Sequence, residues 1–457
     1  MINVQNPSTL QYKKIGLALF IGIIVFGLSS LTFNPTQATL LAIIALLVTL
    51  WTNEGLPMAV ASLLPIILFP AFSILDTKAT TANYAHPIIF LFLGGFLIAI
   101  SVEKSGFHTW LADKMLSIFP NTGRGIIMSL TVTSGLLSSI LSNTTTTLLL
   151  ISIALYISDN PKLKIRFALA IAYGASVGGI MTPIGTPPNL ILLGIMQEKG
   201  LPVIPFFQWM WMVAPLSFVM FIVVGLLLSI GVKDIQMTPT FKPKPLTTDQ
   251  SKILWLIGGL VALLLCNSPI KPYWNGLGLS EPAILLGIGL LLFAPPLNQL
   301  DWAEDKHKIP FRIMFLFGAG FSIAKAFAAT GLAAEVASYL IHLTTLPTIL
   351  LLLAVAALIT FTTEITSNTA LISVMLPIIY AVSELTGINT TLFMMVATIC
   401  ASYAFMLPIA TPPNAIAMST GVVDIKTMAK YGIILNLTGI MLVVIFALLF
   451  WRPVLSL

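Results

Sequence analysis

Charged side chains are the scarcest class in this sequence: Asp, Glu, Lys and Arg make up 8% of 457 residues, against about 25% in ordinary soluble domains. Such a chain cannot clothe a globule in water, so a soluble fold is excluded. Cysteine is nearly absent. Cys266 and Cys400 both sit in or beside apolar segments, so no disulfide framework is implied. The four histidines, His86, His108, His307 and His342, lack metal-ligand spacing, and surface or interfacial positions are expected for them. No Gly-x-x-x-x-Gly-Lys-Ser/Thr loop occurs, which argues against ATP drive. No cluster of carboxylates and histidines and no nucleophile–base pair is visible at depth, which argues against an enzyme.

What is present is apolar: 57% of residues are hydrophobic and the mean hydropathy is +1.01. The pattern predicts an all-α polytopic membrane protein. Stretches near the ~20-residue length of a membrane helix fall at 15–31, 38–52, 55–74, 86–103, 165–197, 207–232, 252–267, 281–295, 309–327, 391–420 and 431–451. Two more, 126–157 and 347–382, are interrupted and read as re-entrant hairpins. No cleavable signal is expected, because the first apolar run is long and no small-residue cleavage site follows it.

The net charge of +6 does not imply a nucleic-acid partner, because the basic residues follow the membrane. With the N-terminus inside and eleven spans, 17 of the 22 Lys and Arg fall in cytoplasmic segments, leaving Lys78, Lys199, Lys271, Lys325 and Arg452. That is the positive-inside pattern, and it places the C-terminus outside an inner cell membrane. Lys325 lies near the outer end of its span and is expected to snorkel.

The chain also repeats itself. Ser142-Asn143-Thr144 recurs as Ser367-Asn368-Thr369, and Gly185-Thr186-Pro187-Pro188-Asn189 recurs as Ala410-Thr411-Pro412-Pro413-Asn414, each 225 residues later. Gly95 and Gly320, Phe96 and Phe321, Gly106 and Gly331, Met181 and Met406, Pro183 and Pro408, and Ile184 and Ile409 share that offset. The expected organisation is an N-terminal segment and leader helix (1–37), repeat one (38–232), a polar cytoplasmic linker (233–251) with Pro239, Pro243 and Pro245, and repeat two (252–457). In this topology the first hairpin enters from the cytoplasm and the second from outside, so the repeats are inverted. Inverted repeats with broken helices are a mark of secondary transporters, whose sites lie near the midplane. Amphipathic segments at Gly106–Leu116 and Gly331–Leu343 are expected to lie along the interface.

Non-helical backbone at membrane depth is tolerated only in protein or beside a cavity, and each motif breaks a helix. A tip between two half-helices running 126–141 and 145–157 exposes carbonyls from one half and N–H groups from the other. Asn donates and accepts, and hydroxyls do either. Pro187 and Pro188 stop the preceding helix and suit the first turn of the next. Two equivalent sites suit a molecule with two negative ends. The motifs hold no Lys, Arg or His, so added positive charge is expected from cations, and uncharged oxygens favour Na⁺ over a transition metal.

These paired motifs resemble those of the divalent anion/sodium symporter family over nearly the whole chain. The resemblance implies a homodimer with scaffold and transport domains that move as an elevator. It implies substrate binding by Ser142, Asn143, Thr144, Thr186, Pro187, Ser367, Asn368, Thr369, Thr411 and Pro412. It implies one Na⁺ site at Ser138, Ser142, Asn143 and the Gly185 carbonyl, and another at Thr363, Ser367, Asn368 and the Ala410 carbonyl. Thr363 for Ser138 and Ala410 for Gly185 are departures between the two copies. Glu364, matched by Ser139, is expected to play a structural or tuning role rather than to ligate. The function expected is Na⁺-coupled import of C4 dicarboxylates (succinate, malate, fumarate). The alternatives are a sodium-independent dicarboxylate or citrate exchanger and a sulfate symporter.

Overall fold

A computed structural model describes residues 7–236, 245–269, 273–339, 346–387 and 389–455. Pro239, Lys242, Pro243, Lys244, Lys271, His342 and Leu343 from the sequence reading lie outside the described residues. Among the described residues every regular element is helical, apart from one isolated bridge between Thr122 and Gln236.

Prolines and short polar caps set the helix starts. An Asn34–Gln37 capping box and Pro35 begin α2 (Pro35–Asn53), which follows α1 (Pro7–Ser29). α3 (Met58–Ala61) and α4 (Leu64–Ala71) are two fragments of the expected 55–74 span, separated at Ser62–Leu63 where Pro65 opens the second fragment. α5 (Thr77–Ala82) leads to α6 (Pro87–Lys104) and α7 (Phe107–Ile118). Then come α8 (Gly123–Ser138), α9 (Asn143–Tyr156), α10 (Pro161–Gly179), α11 (Pro187–Glu198) and α12 (Phe206–Ser229). The first linker residues fold back on α8, whose Gly123 N–H donates to Ile235 O at 2.8 Å. α13 (Thr248–Asn267) begins inside the expected linker, because Thr247 and Gln250 form a capping box. α14 (Glu281–Leu291), α15 (Trp302–Asp305), α16 (Phe311–Ala329) and α17 (Leu332–Tyr339) follow. The chain ends with α18 (Thr348–Thr363), α19 (Asn368–Thr386), α20 (Thr390–Ala401), α21 (Pro412–Ser419), α22 (Ile425–Phe446), a π turn and α23 (Arg452–Leu455).

Helix bounds repeat at the offset of the motifs. α8 and α18 end at Ser138 and Thr363, α9 and α19 begin at Asn143 and Asn368, and α11 and α21 begin at Pro187 and Pro412. Gly106 and Gly331, which turn the chain from α6 into α7 and from α16 into α17, have φ of 70° and 69°, a conformation glycine adopts without steric penalty.

Among the described residues eight helices are long and apolar enough to cross a membrane. Of the eleven expected stretches, 165–197 and 391–420 are each divided into two helices and 281–295 carries only the 11-residue α14. His108 differs from expectation. It is 7% exposed, its Nδ1 lies 3.3 Å from Val102 O, and burial holds its pKa below the ordinary imidazole value.

The buried apolar side chains fall into two clusters. The smaller joins α1 to α4 with Leu316, Ala319 and Ile323 of α16, and the larger holds α6 to α12 and α18 to α22. α16 serves both, since its Phe317 and Phe321 belong to the larger cluster. α8 and α10 pack backbone to backbone: a Cβ on Gly174 would lie 2.5 Å from Thr131 O, and one on Gly178 would strike Gly135. Small residues one turn apart permit that approach.

Candidate functional site

The first break starts where α8 stops at Ser138. Ser142 adopts extended backbone (φ −66°, ψ 146°) and its Oγ accepts from Thr145 N–H at 3.1 Å. This N-cap starts α9 at Asn143. The non-helical turn is therefore 139–142, not the expected Ser142–Thr144, and Asn143 and Thr144 are the first two helical residues. Their N–H groups have no partner within the helix, which leaves donors at a positive dipole end. Ser367 likewise precedes α19 in extended backbone and Asn368 and Thr369 begin it, but the Ser367 side chain makes no cap bond.

Behind each tip a hydroxyl fixes the carboxamide. Ser138 Oγ donates to Asn143 Oδ1 at 2.6 Å, and Thr363 Oγ1 donates to Asn368 Oδ1 at 2.7 Å. The extra methyl of Thr363 leaves that bond intact. Both hydroxyls are fully buried.

The second pair of breaks is built alike. Asn189 Nδ2 donates to Thr182 O (2.8 Å) and Gly179 O (3.3 Å), while Asn414 Nδ2 donates to Leu407 O and Ala404 O (3.0 Å each). Gly185 N–H donates to Thr182 O and Ala410 N–H to Leu407 O, both at 3.3 Å. Thr186 and Thr411 precede the helix-opening prolines in extended backbone, and neither hydroxyl caps its helix. Among the described residues Thr411 Oγ1 is buried and has no hydrogen-bond partner.

The copies differ at Glu364. It is 3% exposed, and its carboxylate accepts from the N–H groups of Phe405 (2.8 Å), Met406 (2.9 Å) and Leu407 (3.0 Å) and from Asn436 Nδ2 (2.7 Å). Its oxygens are thus occupied in holding the second break.

All four breaks face one cavity of about 540 Å³. Ser142, Asn143, Thr144, Gly185, Thr186 and Pro187 line it together with Ser367, Asn368, Thr369, Ala410, Thr411 and Pro412. Ser138 and Thr363 stand behind this lining. Trp51 of α2, Phe92, Gly95 and Phe96 of α6, and Leu316 of α16 complete the lining. The sequence reading missed the charges at the opening, where half-buried Lys14 and exposed Glu54 and Arg312 join the lining. Gly95 and Phe96, which the sequence offered only as part of the repeat, line the cavity, whereas their counterparts Gly320 and Phe321 are not in its lining.

The uncharged oxygens gathered at each tip fit a hard monovalent cation. Among the described residues no group of three His, Cys, Asp or Glu could hold a transition metal.

A family model described as citrate transporter (CitMHS) matches residues 44–387. The chain belongs to that family. The family transports solutes across membranes and is not one of enzymes. A sodium-dependent dicarboxylate transporter, SdcS, of Staphylococcus saprophyticus is 30% identical over 99% of this chain and 94% of its own length. SdcS of Staphylococcus aureus is 31% identical over 94% of this chain and 90% of its own. Two solved structures share the fold: Alcanivorax borkumensis YdaH (TM-score 0.60, 14% identity, 86% of this chain and 98% of that one) and Neisseria gonorrhoeae MtrF (0.58, 17%, 82% and 83%). The first is described as a transporter and the second as one of a class of antimetabolite efflux pumps.

Proposed function

We propose that this membrane protein is a secondary active transporter that imports C4 dicarboxylates, such as succinate, malate or fumarate, together with Na⁺. The observation that carries the reading is that both tips and both proline breaks, with matching bonds in each copy, line a single cavity. The names of the relatives support sodium coupling and a dicarboxylate substrate.

In this reading each Na⁺ sits among the oxygens of one tip: Ser138, Ser142, Asn143 and the Gly185 carbonyl, and Thr363, Ser367, Asn368 and the Ala410 carbonyl. At least two ions bind first and draw each tip together. The dianion follows, taking donors from Asn143, Thr144, Asn368 and Thr369, with Thr186 and Thr411 adjacent. The hairpin α8–α9 enters from the cytoplasm and α18–α19 from outside, in inverted repeats 38–232 and 252–457 joined by the linker 233–251. Eleven crossings leave the N-terminus inside and the C-terminus outside the inner membrane. In the same reading a scaffold and a transport part move as an elevator within a homodimer. Three Na⁺ per dianion would carry net charge, and each charge draws about 2.3 kcal/mol per 100 mV.

The test is uptake of radiolabelled succinate by proteoliposomes with Na⁺ outside, then with K⁺ or Li⁺ in its place. Uptake is expected in Na⁺ and lost in K⁺. Equal uptake in K⁺ would overturn sodium coupling. The family model favours a second reading, citrate as the transported anion, which competition by unlabelled citrate measures.

A further inference from the structure

The four breaks are neutral, yet the cavity they share carries Lys14, Arg312 and Glu54 at its open end. Among the described residues none of the three makes an ion pair. Their charges are therefore available to a solute. Arg312 is in the first turn of α16, and Leu316, one turn further along the same helix, lines the same cavity. The arginine is thus continuous with the binding chamber. Two cations against one carboxylate leave an excess of one positive charge, and walls of Trp51, Phe92 and Phe96 concentrate its field.

We propose that Arg312 and Lys14, opposed by Glu54, form a charge selector that contributes to the affinity of the cavity for anions in proportion to their valence. The proposal rests on the anion-transport reading above. An anion of charge −2 gains twice, and one of −3 three times, the energy of a single charge in the same field. Loss of one mouth cation therefore weakens the more highly charged anion more. Guanidinium also offers five fixed donors to a carboxylate that the helix ends leave unengaged. Being solvent-facing, the selector weakens with salt, since the Debye length is about 8 Å at physiological ionic strength.

The experiment measures succinate and citrate binding to the purified full-length chain by titration calorimetry, at fixed saturating NaCl and alkaline pH, where citrate is fully ionised. Choline chloride sets the ionic strength. Arg312→Gln is expected to raise the dissociation constant about fivefold for succinate and about tenfold for citrate. Glu54→Gln is expected to tighten both, citrate more. Both effects shrink as choline chloride rises. The opposite sign of the Glu54 variant separates electrostatics from misfolding. Wild-type binding with no shift in either variant, with shifts of the same sign, or with equal shifts for both anions would overturn the selector and leave the transport reading standing. Wild-type protein that binds neither anion in Na⁺ would overturn both.

Discussion

Replacing Glu364 by Gln removes one charge from the most heavily bonded side chain at the second break. Oε1 accepts from Phe405 N–H, Met406 N–H and Asn436 Nδ2, and Oε2 accepts from Leu407 N–H. A Gln Oε1 keeps three donors but as a neutral acceptor, and charge-assisted bonds are about twice as strong as neutral ones. Its amide nitrogen then faces Leu407 N–H and strands a buried donor, at about 1–3 kcal/mol. Release of the desolvated carboxylate offsets part of this, so a net loss of about 2 kcal/mol is expected for Gln. Glu364→Ala strands all four donors, about 4 kcal/mol at roughly 1 each. Leu407 also receives Asn414 and Ala410 through its carbonyl, so uptake should fall with stability. Ser139 is the internal control, because among the described residues its hydroxyl bonds only to Leu136 O, in the last turn of the preceding α8, and Ser139→Ala should lose under about 0.5 kcal/mol. Thermal unfolding in detergent and Na⁺-driven succinate uptake measure both effects. Glu364→Gln with a wild-type midpoint and full uptake would refute the reasoning, as would Ser139→Ala losing as much as Glu364→Ala.

Asn143→Ala and Asn368→Ala should each abolish succinate uptake while leaving normal amounts of protein in the membrane, and near-normal uptake by either would contradict the site. Ser138→Ala and Thr363→Val each remove one hydroxyl bonded to a tip carboxamide, worth about 1 kcal/mol. The Na⁺ concentration for half-maximal uptake should rise about fivefold, and no change would remove those hydroxyls from the ion site. Asp305 joins α15 to α6 through Lys104 Nζ at 2.8 Å. Burial on its own would raise the Asp305 pKa, but the bonds from Lys104 and from Asp301 N–H outweigh it and hold the group below 3.8. A depressed carboxylate stabilises fully above its unfolded pKa and loses that contribution as pH falls through the folded value. Asp305→Asn should therefore lower stability at neutral pH by about 1 kcal/mol, because solvent screens the partly exposed Lys104, and the gap to wild type should close in acid below pH 3.8. A gap that persists there would assign the effect to packing.

The breaks were legible because their chemistry is local: a proline without an N–H, or a serine that caps, stops a helix whatever surrounds it. Pro187 and Pro412 start their helices as their sequence implies. The tip was misjudged by one turn, since whether Ser142 or Thr144 ends the loop depends on which hydroxyl reaches Thr145 N–H, and composition does not encode that reach. Arg312, Lys14 and Glu54 were not legible as parts of the cavity. They are far apart in sequence, carry no motif, and the two cations already had an explanation in membrane orientation. His108 was misplaced because α7 was read as an isolated amphipathic segment, whereas its ring packs back toward Val102 of α6.

The indole of Trp451 is fully buried and donates to Met212 O of α12 at 2.7 Å, across 239 residues. On the same helix Trp209 donates to Ile180 O at 2.9 Å, where α10 ends and the proline break of the first copy begins. A ribosome therefore finishes every residue of the early half long before the indole that bonds Met212 O is translated. A nonsense codon just ahead of position 451 would leave the early half complete in sequence but without its late anchor.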